Sequence, residues 1–156
     1  RTLKQLRGAF PKEKITGIDL SDSYLKEASR HISDLNGALI ELLKGNAEDL
    51  PFNNESFQAV SCVYLFHELP RNVREKVLKE FYRVLEPGGI LVLADSIQII
   101  DSPNFISIME GFYKNFHEPF YCDYIKDNID SKMETIGFNN INTRSYFMTK
   151  VWSAIK

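Results

Sequence analysis

From Thr2 to about Ile97 the chain alternates between stretches with helical apolar spacing and short apolar runs. This alternation constrains the fold most strongly, because strands separated by helical crossovers pair in parallel through right-handed connections. Residues 2–10 place Leu3, Leu6 and Phe10 at helical spacing, and Pro11 closes that helix. KITGIDL is a short strand. Ser21 or Asp22 caps a helix over about 22–35 by accepting a backbone N–H bond. Tyr24, Leu25, Ala28 and Ile32 form its apolar face, and Asn36-Gly37 stops it. ALIELLK, 38–44, is a strand by context, and GNAEDLPFNNES is loop. FQAVSCVYLF, 57–66, is a near-continuous apolar strand of the kind expected in a sheet covered on both faces. Pro70 opens a helix to about Leu85, with Val73, Val77, Phe81, Val84 and Leu85 as its buried stripe. Pro87-Gly88-Gly89 reads as a tight turn into the buried strand ILVLADS. Residues 103–117 and 123–136 read as helices, the second ending at Gly137. INTRSYF and TKVWSAIK read as a closing antiparallel pair.

The 156 residues suit a single α/β domain, 1–156, long enough to build a core. Hydrophobic residues make up 44% and charged residues 26%, the balance of a globular protein. Nineteen basic residues stand against 21 acidic ones without a basic cluster, so electrostatic binding of nucleic acid has no support. No apolar run approaches the roughly 18 residues of a membrane span. RTLKQLRG lacks the apolar stretch of a signal peptide. Cys62 and Cys122 read as reduced thiols of a cytoplasmic protein. His31, His67 and His117 are scattered and no cysteine pair has ligand spacing, so no metal site is expected.

Ligands of open parallel sheets sit beyond the carboxyl ends of the strands. The residues to watch are therefore Asp19, Asn46 to Glu48, Tyr64 to His67, and Asp95. Two readings fit Asp19. Its two carboxylate oxygens match the two hydroxyls of a ribose through charge-assisted bonds, or they cap the turn that follows. In dinucleotide folds such an acid follows a glycine-rich turn by about 20 residues. Counting back from Asp19 reaches the start of the chain, and neither Gly8 nor Gly17 supplies that turn.

ITGIDLSDSYLKEA, GNAEDLPFNNESFQAVSCVYLFHEL and VLKEFYRVLEPGGILVLAD together resemble successive motifs of class I S-adenosylmethionine-dependent methyltransferases. The resemblance runs from about residue 14 to 95. It implies a Rossmann-like sheet in the order 3-2-1-4-5-7-6 with an antiparallel closing strand. It implies S-adenosylmethionine as cofactor and a small-molecule methyl acceptor. By the resemblance, Asp19 holds the ribose, Leu20 packs on the adenine, and Asn46, Ala47 and Glu48 border the adenine edge. Cys62, Val63 and Tyr64 lie near the methionine moiety. The family usually has Asp where Asn46 stands, and often Asp where Gln58 stands. The family's first strand and its glycine-rich loop have no counterpart in this sequence. A central strand buries several apolar side chains, worth on the order of 10 kcal/mol, which rivals the whole stability of a domain. The expectation is therefore an N-terminally truncated chain, completed by a missing N-terminal segment or by a strand from a partner in a homodimer.

His67 follows a buried strand and precedes a Pro-initiated helix. It suits a general base that orients an acceptor, or a histidine bonding loop backbone. Residues 105–124 are rich in aromatics, and 103–124 is the stretch where the family often covers its substrate. Phe105, Ile108, Met109, Phe112 and Phe116 fit the core face of a helix, which leaves Tyr113, His117, Tyr121 and Tyr124 as candidates for an acceptor pocket. The expected activity is methyl transfer to a small apolar or aromatic molecule. The alternatives are a non-catalytic interaction module with this fold, and an oxidoreductase using the same acid on a nicotinamide cofactor.

Overall fold

The computed structural model describes residues 2–33 and 39–156, without the side chains of residues 113, 114 and 116. It divides into two compact units, one reaching to Pro51 and one from Phe52 to Lys156. Each is described by itself.

The first unit contains α1 (Thr2–Ala9), β1 (Ile15–Asp19), α2 (Asp22–Ile32) and β2 (Ile40–Lys44). The two strands pair in parallel from Ile15↔Ile40 to Asp19↔Lys44, as a helical crossover requires. Ser21 is the N-cap of α2, its hydroxyl accepting from Tyr24 N–H, while Asp22 in the first turn complements the helix dipole. Asp22 also pairs with Lys44 at 2.6 Å. The expected stop at Asn36-Gly37 lies outside the described residues. Tyr24, expected on the buried face of α2, is 70% exposed, and Ile32 is the buried end of that face. Arg7 of α1 is buried, donating to Phe10 and Leu39 carbonyls.

The second unit holds a four-stranded sheet in the order β3-β4-β6-β5, made of β3 (Phe57–Val63), β4 (Leu85–Ser96), β5 (Asn139–Tyr146) and β6 (Thr149–Ile155). β3 and β4 are parallel, joined through α3 (Arg71–Val84); β6 runs antiparallel to both β4 and β5. In the numbering of the sevenfold order given above, the two units supply 3-2 and 4-5-7-6. Among the described residues no strand takes position 1.

α3 buries Val77, Leu78, Phe81 and Val84, and its buried face also carries Arg74, which the apolar stripe does not reveal. Leu85 begins β4 directly, so the expected Pro87-Gly88-Gly89 turn is instead a bulge inside that strand. The register moves from Phe57↔Leu85 to Ala59↔Ile90, which places the extra residues on β4. Gly89 is required there, because a Cβ would lie 2.8 Å from the Glu86 carbonyl oxygen. Leu91, Leu93, Trp152 and Ala154 line the packed face. The opposite face is open: Val63 is 40%, Ile90 46% and Val92 36% exposed, against the expectation of cover on both faces.

β3 ends at Val63 rather than running on to Phe66, because Tyr64 takes the left-handed φ of 53°. Beyond β4, α4 (Ile106–Phe116) buries Met109, while Ile108 and Phe112 of the expected core face are exposed. The expected helix over 123–136 is two helices, α5 (Tyr121–Tyr124) and α6 (Ile129–Ile136). Asn128 caps α6 through Ser131 N–H, and Gly137 ends it at φ 120°. Among the described residues no helix is long and apolar enough to cross a membrane.

Candidate active site

Each unit gathers chemistry at the carboxyl ends of its parallel strands. In the first unit β1 and β2 end together, with Gly45 N–H donating to the Asp19 carbonyl at 3.1 Å. Asp19 Oδ1 accepts from Ser21 N–H at 2.8 Å, so one carboxylate oxygen caps the turn. Oδ2 has no partner among the described residues. Leu20, next along the chain, is 64% exposed. Asn46 Oδ1 accepts from Glu48 N–H at 3.0 Å and shapes the turn 46–49, with one lone pair to spare. A free carboxylate oxygen, a bare apolar side chain and an adjacent polar turn fit the ribose and base of a nucleoside. Sequence reasoning placed Asp19, Leu20, Asn46, Ala47 and Glu48 at one end of these strands, and they are found there.

In the second unit the centre is His67, in a 3-10 turn over Phe66–Glu68 just past β3. Its Nδ1 lies 2.7 Å from Oδ1 of Asp95, near the end of β4. Asp95 is fully buried and held from three sides. Oδ1 also accepts from Ser96 N–H, and Oδ2 accepts from Phe66 N–H, each at 2.7 Å. The carboxylate thus directs the Nδ1 proton of the neutral ring toward itself and leaves Nε2 as the basic nitrogen. The His67 side chain is 14% exposed. Burial is the largest influence on the ring and lowers its pKa. The hydrogen bond and charge of Asp95, joined by Glu68 and Glu118, outweigh it, so the ring titrates above the ordinary 6.5.

Three tyrosines set their rings edge-on to His67: Tyr64 at 6.2 Å, Tyr121 at 6.2 Å and Tyr124 at 6.3 Å between centroids. Tyr64, 49% exposed, bonds Thr149 through its hydroxyl, which ties its left-handed backbone to β6. Tyr121 and Tyr124 are almost wholly buried, and both hydroxyls are engaged by Ser96. Burial pushes both hydroxyls up, so they stay protonated. His117 is the exposed left-handed cap of α4, and the side chain of Tyr113 lies outside the described residues. Cys62 and Val63 point to opposite faces of the sheet. Cys62 is buried on the packed face, where burial and then Asp95 push its thiol up and keep it protonated, so its side chain cannot share a pocket with that of Val63. Sequence reasoning marked Asp95 by its place at a strand end but gave it no role. Arg74, packed behind Tyr124, left no signal, being one of several charges on α3. Among the described residues no group of His, Cys, Asp or Glu could hold a metal ion.

Parallel strands joined through helices, with the ligand-facing residues at their carboxyl ends in each unit, are the architecture of the Rossmann-like class. Residues 1–89 match the family described as "Methyltransferase domain", and the chain belongs to that family. Among curated relatives, the demethylmenaquinone methyltransferase of Listeria monocytogenes is 36% identical over 104 residues, 67% of this chain and 43% of that protein. The demethylmenaquinone methyltransferase of Bacillus subtilis is 30% identical over 115 residues, 74% of this chain and 47% of that protein. The chain spans less than half the length of these two relatives. Among solved structures, a putative O-methyltransferase from Nostoc punctiforme superposes with a TM-score of 0.77 at 17% identity, covering 97% of this chain and 46% of that one. Human N-acetylserotonin methyltransferase in complex with SAM gives 0.75 at 16% identity, covering 99% and 44%. At such identities the likeness is one of fold, the Rossmann-like fold of methyltransferases.

Proposed function

We propose that the protein transfers a methyl group from S-adenosylmethionine to a small apolar, ring-bearing acceptor, with His67 as general base. The observation that carries this reading is the 2.7 Å contact between His67 Nδ1 and Asp95 Oδ1. It leaves Nε2, which lies 3.9 Å from Glu68 Oε1, to take a proton from a ring hydroxyl or an acidic ring carbon, while buried Asp95 stabilises the imidazolium that results. When bound, S-adenosylmethionine supplies an electrophilic methyl group on a sulfonium. Asp19 Oδ2 would hold its ribose, Leu20 would cover its adenine, and the Asn46–Glu48 turn would border the base. Edge-on tyrosines around His67 favour an aromatic acceptor. Demethylmenaquinone, in the names of the curated relatives, is an acceptor of the proposed kind.

Among the described residues β1 pairs on one side only, with β2. We propose that a further strand, from a preceding segment or a partner copy, pairs with this open edge. The two free thiols support a reducing, cytoplasmic setting.

The test is calorimetric titration of the whole protein with S-adenosylmethionine, followed by transfer of labelled methyl to demethylmenaquinone and to a set of small ring compounds. Saturable binding and a labelled ring product are expected. A folded whole protein that binds no S-adenosylmethionine overturns the reading in favour of a non-catalytic module. Binding of a nicotinamide nucleotide in its place points to an oxidoreductase.

A further inference from the structure

Two of the three rings around His67 come from α5, a single helical turn. Such a turn has no stability of its own, since helix nucleation is unfavourable, so something else holds it. Inward, both hydroxyls grip one residue. Tyr121 Oη lies 2.7 Å from Ser96 Oγ, and Tyr124 Oη donates to the Ser96 carbonyl at 2.6 Å. Ser96 N–H in turn donates to Asp95 Oδ1, the oxygen that His67 Nδ1 meets. Outward, Asp123 of the same turn is clasped by two arginines of α3. Arg71 reaches it through Nη2 at 2.7 Å and Nε at 3.1 Å, and Arg74 through Nη2. Burial alone would raise the Asp123 carboxyl, but the two guanidiniums more than offset it and hold it below its ordinary range.

Arg74 is the centre of this arrangement. It is fully buried, with Nε 2.8 Å from Asp127 Oδ2 and Nη1 2.7 Å from the Leu69 carbonyl oxygen. Its guanidinium carbon stands 5.8 Å from the centroid of the Tyr124 ring. A buried ion pair of this sort is a poor stabilising device. Apolar side chains of similar volume often serve as well or better, whereas a fork of directed hydrogen bonds fixes geometry.

We propose that Arg74, acting through Tyr124 and Ser96, is a positioning residue for the His67–Asp95 pair. The proposal rests on the reading of His67 as the base, but it concerns a geometry measurable without methyl transfer. The ionisable groups facing the His67 ring are Asp95 from β4, Glu68 from its own turn, Glu118 and Tyr121 from the α4–α5 region, Tyr124 from α5, and Tyr64 after β3. Arg74→Lys alters none of these, and Tyr124→Phe removes one hydroxyl that is uncharged in the folded protein.

The experiment uses nitrogen-15 NMR of the His67 ring in the whole protein, comparing wild type with Arg74→Lys and Tyr124→Phe. Wild type should show one tautomer, protonated at Nδ1, and a titration midpoint above 6.5. Both variants should show mixed tautomers and a midpoint displaced toward 6.5. If transfer occurs, kcat should fall about tenfold or more with KM for the acceptor nearly unchanged, because the base is misplaced while the acceptor still binds. Folded variants with a wild-type tautomer and midpoint overturn the proposal, even if they are less stable. Should Arg74→Lys fail to fold, Tyr124→Phe decides alone, since it removes one hydroxyl and keeps the ring. Expected ring spectra without any methyl transfer leave the positioning role standing and refute the base.

Discussion

His67 Nδ1 meets Asp95 Oδ1 at 2.7 Å, although the two residues lie 28 positions apart, at the ends of parallel neighbouring strands. The contact sets a pH dependence of stability. The folded ring titrates above 6.5, so its contribution is complete below about pH 6.5 and is lost as pH rises through the folded pKa. Asp95→Asn removes the charge and lets burial dominate. The His67 midpoint should then drop below the wild-type value, and the alkaline loss of stability should vanish. Denaturant melts of the whole protein at a series of pH values check this; an unchanged pH dependence would show that Asp95 does not govern the ring.

Asp19 spends one oxygen on Ser21 N–H and keeps the other. Asp19→Ala should weaken S-adenosylmethionine binding by about 1.5–3 kcal/mol, the worth of hydrogen bonds to a charged group. Thermal stability should fall by a smaller amount, since Ser21 still caps α2. Titration calorimetry measures the first and a melting curve the second. Unaltered affinity alongside reduced stability would make Asp19 a turn cap only.

Gly137 ends α6 at φ 120°, and a Cβ there would stand 2.9 Å from the Tyr82 hydroxyl oxygen. Gly137→Ala should destabilise by about 1–3 kcal/mol through backbone strain and this clash. Chemical denaturation of the variant checks it. The Tyr82–Phe138 edge contact, with centroids 5.0 Å apart, adjoins the same turn and should loosen with it.

Cys62 is buried with its thiol held protonated, whereas Cys122 is partly exposed. Alkylation under native conditions should label Cys122 first and leave Cys62 untouched until denaturant is added. Mass spectrometry of the modified peptides reads the order. Rapid native labelling of Cys62 would mean that the packed face of β3 opens to solvent.

The alternation of apolar runs and amphipathic stretches carried the parallel crossovers, and TKVWSAIK and INTRSYF carried the antiparallel closure, because both patterns are local. Asp19 and His67 were visible for the same reason: each follows an apolar run. Asp95 stood in plain view at a strand end, but its bond to His67 depends on register between strands, which spacing along the chain does not encode. Arg74 is hidden more deeply. It is one of several charges on α3, and only its partners Asp127, Asp123 and the Leu69 carbonyl, all distant in sequence or outside the helix, explain why it is buried. The expected helix over 123–136 is interrupted between Tyr124 and Ile129, where Asp127 bonds Arg74 and Lys132 and Asn128 caps α6. Tyr121 and Tyr124 were expected as candidates for an acceptor pocket; they lie beside His67 and are buried. Their hydroxyls have buried partners in Ser96, which a count of aromatic spacing cannot supply.

The most direct measurement is the pH–rate profile for methyl transfer to a ring acceptor by the whole protein and its His67→Gln variant, from about pH 5 to 9. The wild-type rate should rise through a midpoint above 6.5 as Nε2 loses its proton. The variant should lack that rise and fall by about 10²–10⁴-fold at the plateau, the usual worth of a general base. A His67→Gln protein with the wild-type rate and the wild-type profile would contradict the account.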